Sequence, residues 1–136
     1  MRELKFRFWN KIARRFQPAF KYAIDGEGKL VSYDYEMMAF DDPVDFSNTC
    51  IVAQQYTGLK DKNGVGIYEG DILSIYNHPL AEQVEYELDG SSFGFFAHDD
   101  VDRQHGTWEY LSDWTSAAGY DVIGNIFENS ELLEKL

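Results

Sequence analysis

A chain of 136 residues, 44% of them hydrophobic, has the length of one domain and enough apolar material for a core. Its aromatic share of 16% (nine Tyr, ten Phe, three Trp) excludes low-complexity disorder and favours strands, where rings pack across a pleated surface. A net charge of -12 opposes binding to a phosphate backbone, which needs Lys and Arg to neutralise it.

That charge is unevenly spread. Residues 1–22 hold Arg2, Lys5, Arg7, Lys11, Arg14, Arg15 and Lys21 against Glu3, a surplus of +6, so the rest of the chain carries -18. The expected arrangement is a basic arm lying over the protein's own acidic surface, with no binding of duplex DNA. Cys50 is the single cysteine and forms no internal disulfide, which suits a reducing compartment; beside Ile51 and Val52 it reads as a small buried apolar residue. No run approaches the ~18 apolar residues of a membrane span, and the alternating N-terminus lacks the apolar core of a signal peptide. The expected address is the cytoplasm, without membrane attachment.

Leu4, Phe6 and Phe8 alternate with Glu3, Lys5 and Arg7, so the chain opens with a half-buried strand that Trp9 and Asn10 end. Pro18 argues against a continuous helix through Lys11–Tyr22. Asp25-Gly26-Glu27-Gly28 is a turn, and Val31, Tyr33 and Tyr35 alternate again, making a hairpin. An acidic loop runs from Asp41 to about Asn48. Ile51–Thr57 is extended; Asn63-Gly64 then sits where a tight turn joins it to the extended run from Ile67 to Tyr76, with Gly64 at positive φ. Asn77-His78-Pro79 turns the chain. Val84, Tyr86 and Leu88 alternate, and Asp89-Gly90 turns it once more.

Phe93–Ala97 is a short aromatic strand, followed by an acidic loop from His98 to Gly106 and a strand around Trp108–Leu111. Tyr120–Phe127 is the last strand, bulged or kinked at Gly124. Asn129 or Ser130 caps a final helical turn bearing Leu132, Leu133 and Leu136. Many short strands between turns predict an all-β barrel or sandwich, in one domain over residues 1–136.

Few residues suggest chemistry. His98, Asp100, Asp102 and His105 are metal-ligand types in one loop, yet their spacing fits neither a zinc site nor an EF-hand, and a solvated acidic loop is the expectation. Ser91, Ser92 and Ser112 lack a nucleophile elbow. Gly64, Gly66 and Gly70 lack the Gly-Lys-Ser/Thr ending of a phosphate loop. No catalytic residue and no cofactor is expected.

The run from Gln55 to Gly64, with Tyr56, Thr57, Gly58, Leu59 and Asn63, is continued by Ile67, Tyr68, Glu69, Gly70, Asp71 and Ile72. It resembles the signature of the YopX family of phage and prophage proteins. Arg2–Asn10 resembles that family's start, and Tyr120–Asn129, including Gly124 and Asn125, with Leu132 and Leu133, its end. Asn10 stands where the family often has Asp, and Gly66 where a charged residue is usual. The resemblance implies a mostly β fold with an SH3-like barrel and a phage or prophage origin; with the residue pattern above, the expected fold is an SH3-like barrel core with additional strands and a short C-terminal helical turn. It implies no activity.

Physically the signature reads as architecture. Its glycines punctuate a strand–loop–strand path, Asp71 is placed to accept backbone N–H groups, and Tyr56, Tyr68 and Ile72 supply core packing. The expected function is a non-enzymatic interaction module acting on a host or phage protein, or on a second copy of itself. The alternatives are an acidic mimic of nucleic acid that inhibits a host enzyme and, third, a metal-dependent enzyme using the His98–His105 loop.

Overall fold

The structure, a computed structural model, describes residues 3–18, 20–34, 37–40, 50–75, 81–89, 92–98, 109–110 and 119–133. These form strands and turns, with a 3-10 helix over Ser130–Leu133, so the fold is all-β with a short helical turn near its C-terminal end. Among the described residues no helix is long and apolar enough to cross a membrane. The chain divides into two compact units, one over Leu4–Gln55 and one over Tyr56–Leu136 together with Met1–Glu3.

In the first unit, β1 (Phe6–Asn10) pairs antiparallel with β2 (Arg15–Phe16) on one side and with the leading half of β6 (Ile51–Lys60) on the other. The period-two pattern places Phe8 in a core with Leu30 and Ile51, against which Phe6, Tyr22, Ile24, Cys50 and Ala53 pack. Trp9, on the opposite face, is also buried and meets Phe16 edge-on at 4.9 Å. Leu4 departs from the expected buried face. The β6 ladder ends at Phe6↔Gln55, one turn of the pleat short of Leu4, which stays 66% exposed.

Residues 11–18 are not helical because Asn10 closes a turn instead. Its Oδ1 accepts the N–H groups of Ile12 and Ala13, and Arg14 adopts a φ of 54° before β2 begins. The predicted hairpin is β3 (Tyr22–Ile24) against β4 (Leu30–Asp34), with β5 (Ala39–Phe40) beyond it. The acidic stretch expected over 41–48 lies outside the described residues.

In the second unit, the trailing half of β6 pairs with β7 (Gly66–Tyr68). A separate antiparallel sheet follows, ordered β11 (Glu109–Tyr110), β10 (Ser92–His98), β9 (Glu82–Asp89), β8 (Asp71–Ile75) and β12 (Tyr120–Asn125). Ile67, Leu73, Val84, Phe95, Ala97 and Tyr120 form its core, with Leu59 and Val122 packed on it. Ladder register shifts between Val122 and Gly124, so Gly124 marks the expected bulge. β12 stops at Asn125 rather than Phe127. The Asn125 side chain accepts the N–H groups of Phe127 and Glu128 and bends the chain away, since an Asn that bonds forward replaces the next ladder bond.

Candidate functional site

Two places merit a functional reading: the signature residues of the second unit and a cleft in the first.

The signature residues converge on turns. Thr57 Oγ donates to the Ile67 carbonyl at 2.7 Å and accepts the Leu59 N–H. Gly58, at φ 87°, lies where the β6–β7 register slips between Tyr56 and Lys60. Tyr56 and Tyr68 stack at 5.3 Å, and Gly66 lies against the Tyr56 ring, where a Cβ would stand only 3.0 Å from Cε1. A side chain at this position would have to displace the Tyr56 ring by a few tenths of an ångström. Asp71, 2% exposed, accepts the Tyr68 N–H at 2.8 Å across a turn in which Gly70 has φ 84°. Glu69 completes that turn, half-buried, and Gln55 lies opposite Phe6 in the ladder. Asn125 holds the last turn, its Nδ2 donating to Glu128 Oε1 and its N–H to Asn129 Oδ1.

Between β6 and β7 the turn has the geometry expected of Asn63-Gly64, and one residue the motif reading passed over. Gly64 N–H donates to the Asp61 carbonyl, Asp61 N–H to the Val65 carbonyl, and Gly64 carries the positive φ of 83°. This is a three-residue hairpin loop ending in a left-handed glycine. Its keystone is Asp61. Oδ1 accepts from Asn63 and Val65, and Oδ2 accepts from Val122 on β12 at 3.0 Å. Burial pushes its carboxyl pKa up, but the N–H groups of Val122, Val65 and Asn63, with the Lys62 charge, outweigh that and hold it below the ordinary aspartate value. Asn63 adds a second tie, Nδ2 to Asp121 Oδ1 at 2.9 Å.

The first unit repeats the loop. Asp25 Oδ1 accepts from Glu27 and Lys29, Gly28 N–H donates to the Asp25 carbonyl, and Gly28 has φ 84°. The spacing Asp-x-x-Gly common to both loops was the signal that would have found Asp61. The backbone N–H of Lys29 leads the causes that lower the Asp25 pKa.

The cleft has a volume of about 290 Å³ and is lined by Leu4, Lys5, Phe6, Phe8, Tyr22, Ala23 and Ile24. It is the open side of the first unit's core. Phe8 and Tyr22 rings meet at 5.5 Å, tilted by 43°, and Lys21 Nζ sits 5.9 Å above the Tyr22 ring. Burial, then the neighbouring Cys50, raises the Tyr22 pKa, so the phenol is neutral at physiological pH. Walls that combine apolar side chains with polar surface, Lys5 among them, suit an apolar side chain beside an anionic group. They offer no nucleophile paired with a base.

Of the sequence's metal candidates, the backbone of His98 ends β10, while Asp100, Asp102 and His105 lie outside the described residues. Among the described residues no group of three His, Cys, Asp or Glu side chains is arranged to hold a metal ion.

An antiparallel all-β fold whose distinctive residues stitch turns defines the class. The profile of the family described as YopX protein matches residues 5–134, and the chain belongs to that family. It is similar to the crystal structure of protein EF1440 from Enterococcus faecalis, with 27% identity and a TM-score of 0.58 over 98% of this chain and 99% of that one. It also resembles the crystal structure of protein yopX from Bacillus subtilis, at 18% identity and a TM-score of 0.53 over 98% and 99%, a likeness of fold. No curated protein matches.

Proposed function

We propose that this chain is a non-enzymatic protein-interaction module, encoded by a phage or prophage and acting in the cytoplasm of a bacterial host on a host or phage protein. The observation that carries the reading is the cleft of the first unit, a concave seat where the side chains of Leu4, Phe6, Phe8, Tyr22 and Ile24 gather beside Lys5. The division of polar side chains supports it. Thr57, Asp61, Asp71 and Asn125 are buried and bonded to backbone within turns or between strands, an arrangement that stabilises a scaffold. The phage origin and cytoplasmic address follow the family resemblance and the lone half-buried Cys50.

The test is capture from host lysate by the wild type and by Leu4→Glu, which alters the cleft at an exposed position and leaves the core intact. A partner retained by the wild type and lost with Leu4→Glu supports the module. Capture indifferent to the substitution removes the cleft from the function.

A further inference from the structure

The first unit's cleft runs along an open strand edge. β3 pairs with β4 and, among the described residues, with nothing on its other side. Lys21 accepts from Tyr33 N–H, and Asp25 N–H donates to Lys29, so residues 21 and 25 face β4. Antiparallel ladders alternate, so Ala23 also faces β4. The N–H and C=O groups of Tyr22 and Ile24 therefore point away from it, and among the described residues no partner meets them.

The lining of the cleft locates it at that edge. Successive side chains of a strand point to opposite faces. A cleft lined by Tyr22, Ala23 and Ile24 in succession follows the edge rather than one face. Leu4, Lys5 and Phe6 are likewise successive, and they lie beyond the reach of β2, whose register with β1 covers only Trp9 and Asn10. The slot thus has donors and acceptors along one wall, rings at its floor and an ammonium group at its rim.

We infer that the edge of β3 accepts an extended peptide segment as an added strand, one in which apolar residues alternate with carboxylates. This rests on the interaction-module reading and names its partner. Backbone bonds to Tyr22 and Ile24 supply the pairing, and the alternate apolar side chains enter between Phe6, Phe8 and Tyr22. Carboxylates on the other face meet Lys5 and Lys21, within the segment where basic residues exceed acidic ones by six. A basic segment would be repelled there.

The test uses three labelled peptides and the whole chain: alternating Glu and Val, the same peptide N-methylated at alternate amides, and alternating Lys and Val. Fluorescence anisotropy is expected to show saturable binding of the first, weaker by at least about tenfold for each of the others. Amide exchange adds a site-resolved readout, with Tyr22 and Ile24 slowed by the peptide and Ala23, already paired to β4, unchanged. Equal binding of the N-methylated peptide, without that slowing, overturns strand addition but leaves a side-chain cleft and hence the module. Equal binding of the Lys peptide overturns the acidic partner. Slowing of Tyr22 and Ile24 with protein concentration alone puts a second copy on the edge and overturns the peptide. Absence of binding by all three overturns the inference, while the capture experiment with Leu4→Glu still decides the module.

Discussion

Asp61→Asn is the substitution that most directly probes what holds the second unit's turns together. The change keeps size and shape but turns one carboxylate oxygen into an N–H₂ group. With the remaining oxygen facing Asn63 and Val65, the new amide opposes the Val122 N–H, donor against donor; flipped, it abandons two bonds to keep one. Asn63 is exposed and Val65 is 49% exposed, so water replaces much of what those two amides lose. Val122 is half-buried and joins positions 61 residues apart, so its loss is the costly one. A hydrogen bond to a charged group contributes ~1.5–3 kcal/mol net, which gives an expected loss of about 2–3 kcal/mol.

Asp25→Asn is the internal control, since it makes the same loop change without a bond to a distant strand and at a solvated hairpin tip. Urea denaturation followed by circular dichroism should lower the Asp61→Asn midpoint by roughly 1–2 M with an unchanged slope, and shift the control far less. The pH dependence has a definite sign. The folded-state pKa of Asp61 is depressed, so its contribution is present above the unfolded value of ~3.9 and is lost as pH falls through the folded value. The gap between wild type and Asp61→Asn should therefore be wide at neutral pH and narrow below about pH 4. Equal losses for the two variants, or a gap that persists in acid, would refute the assignment of Asp61 as the keystone.

Gly64→Val should cost about 1–2 kcal/mol through backbone strain alone, because φ is +83° while nothing lies within 4 Å of a new Cβ; Gly64→Asn should cost less, as urea midpoints would reveal. At Gly124 the problem is instead steric, since a methyl group would overlap the Asn129 side chain. Gly124→Ala should lower the melting temperature, and adding Asn129→Ala should recover part of that loss; a purely additive double variant would contradict the contact. Duplex DNA should show no saturable binding tighter than ~1 μM at physiological salt, measured by anisotropy, since the chain beyond Tyr22 carries -18.

Much of the strand pattern was legible because its causes are local. Alternation at Phe6 and Phe8, the Asp-Gly and Asn-Gly turns and the bulge at Gly124 each follow from one or two residues and their backbone preferences. What was not legible depended on partners distant in sequence. Leu4 continues the alternation of β1, yet whether it is buried depends on where β6 stops pairing, 50 residues away. Phe127 looks like strand, and only the forward bonds of Asn125 remove it from β12. The cleft is likewise invisible in sequence, because it arises from β3 having a partner on one side and none described on the other.

The two Asp-x-x-Gly loops separate what a turn needs from what a fold asks of it. Asp25 and Asp61 perform the same local task, accepting the N–H groups two and four residues ahead while a glycine with φ near +84° closes the loop. Local chemistry therefore accounts for an oxygen acceptor at both positions. Only at Asp61 does the second oxygen reach another strand, and only there does the carboxylate lie buried, 6% exposed. A charge in such a place is tolerated because each of its oxygens is met by backbone donors, which stabilise the ionised form against the cost of desolvation. The signature segment that holds Asp61 thus builds the joint between the β6–β7 loop and β12. The β3 edge differs from that joint, since among the described residues the outward backbone groups of Tyr22 and Ile24 have no internal partner.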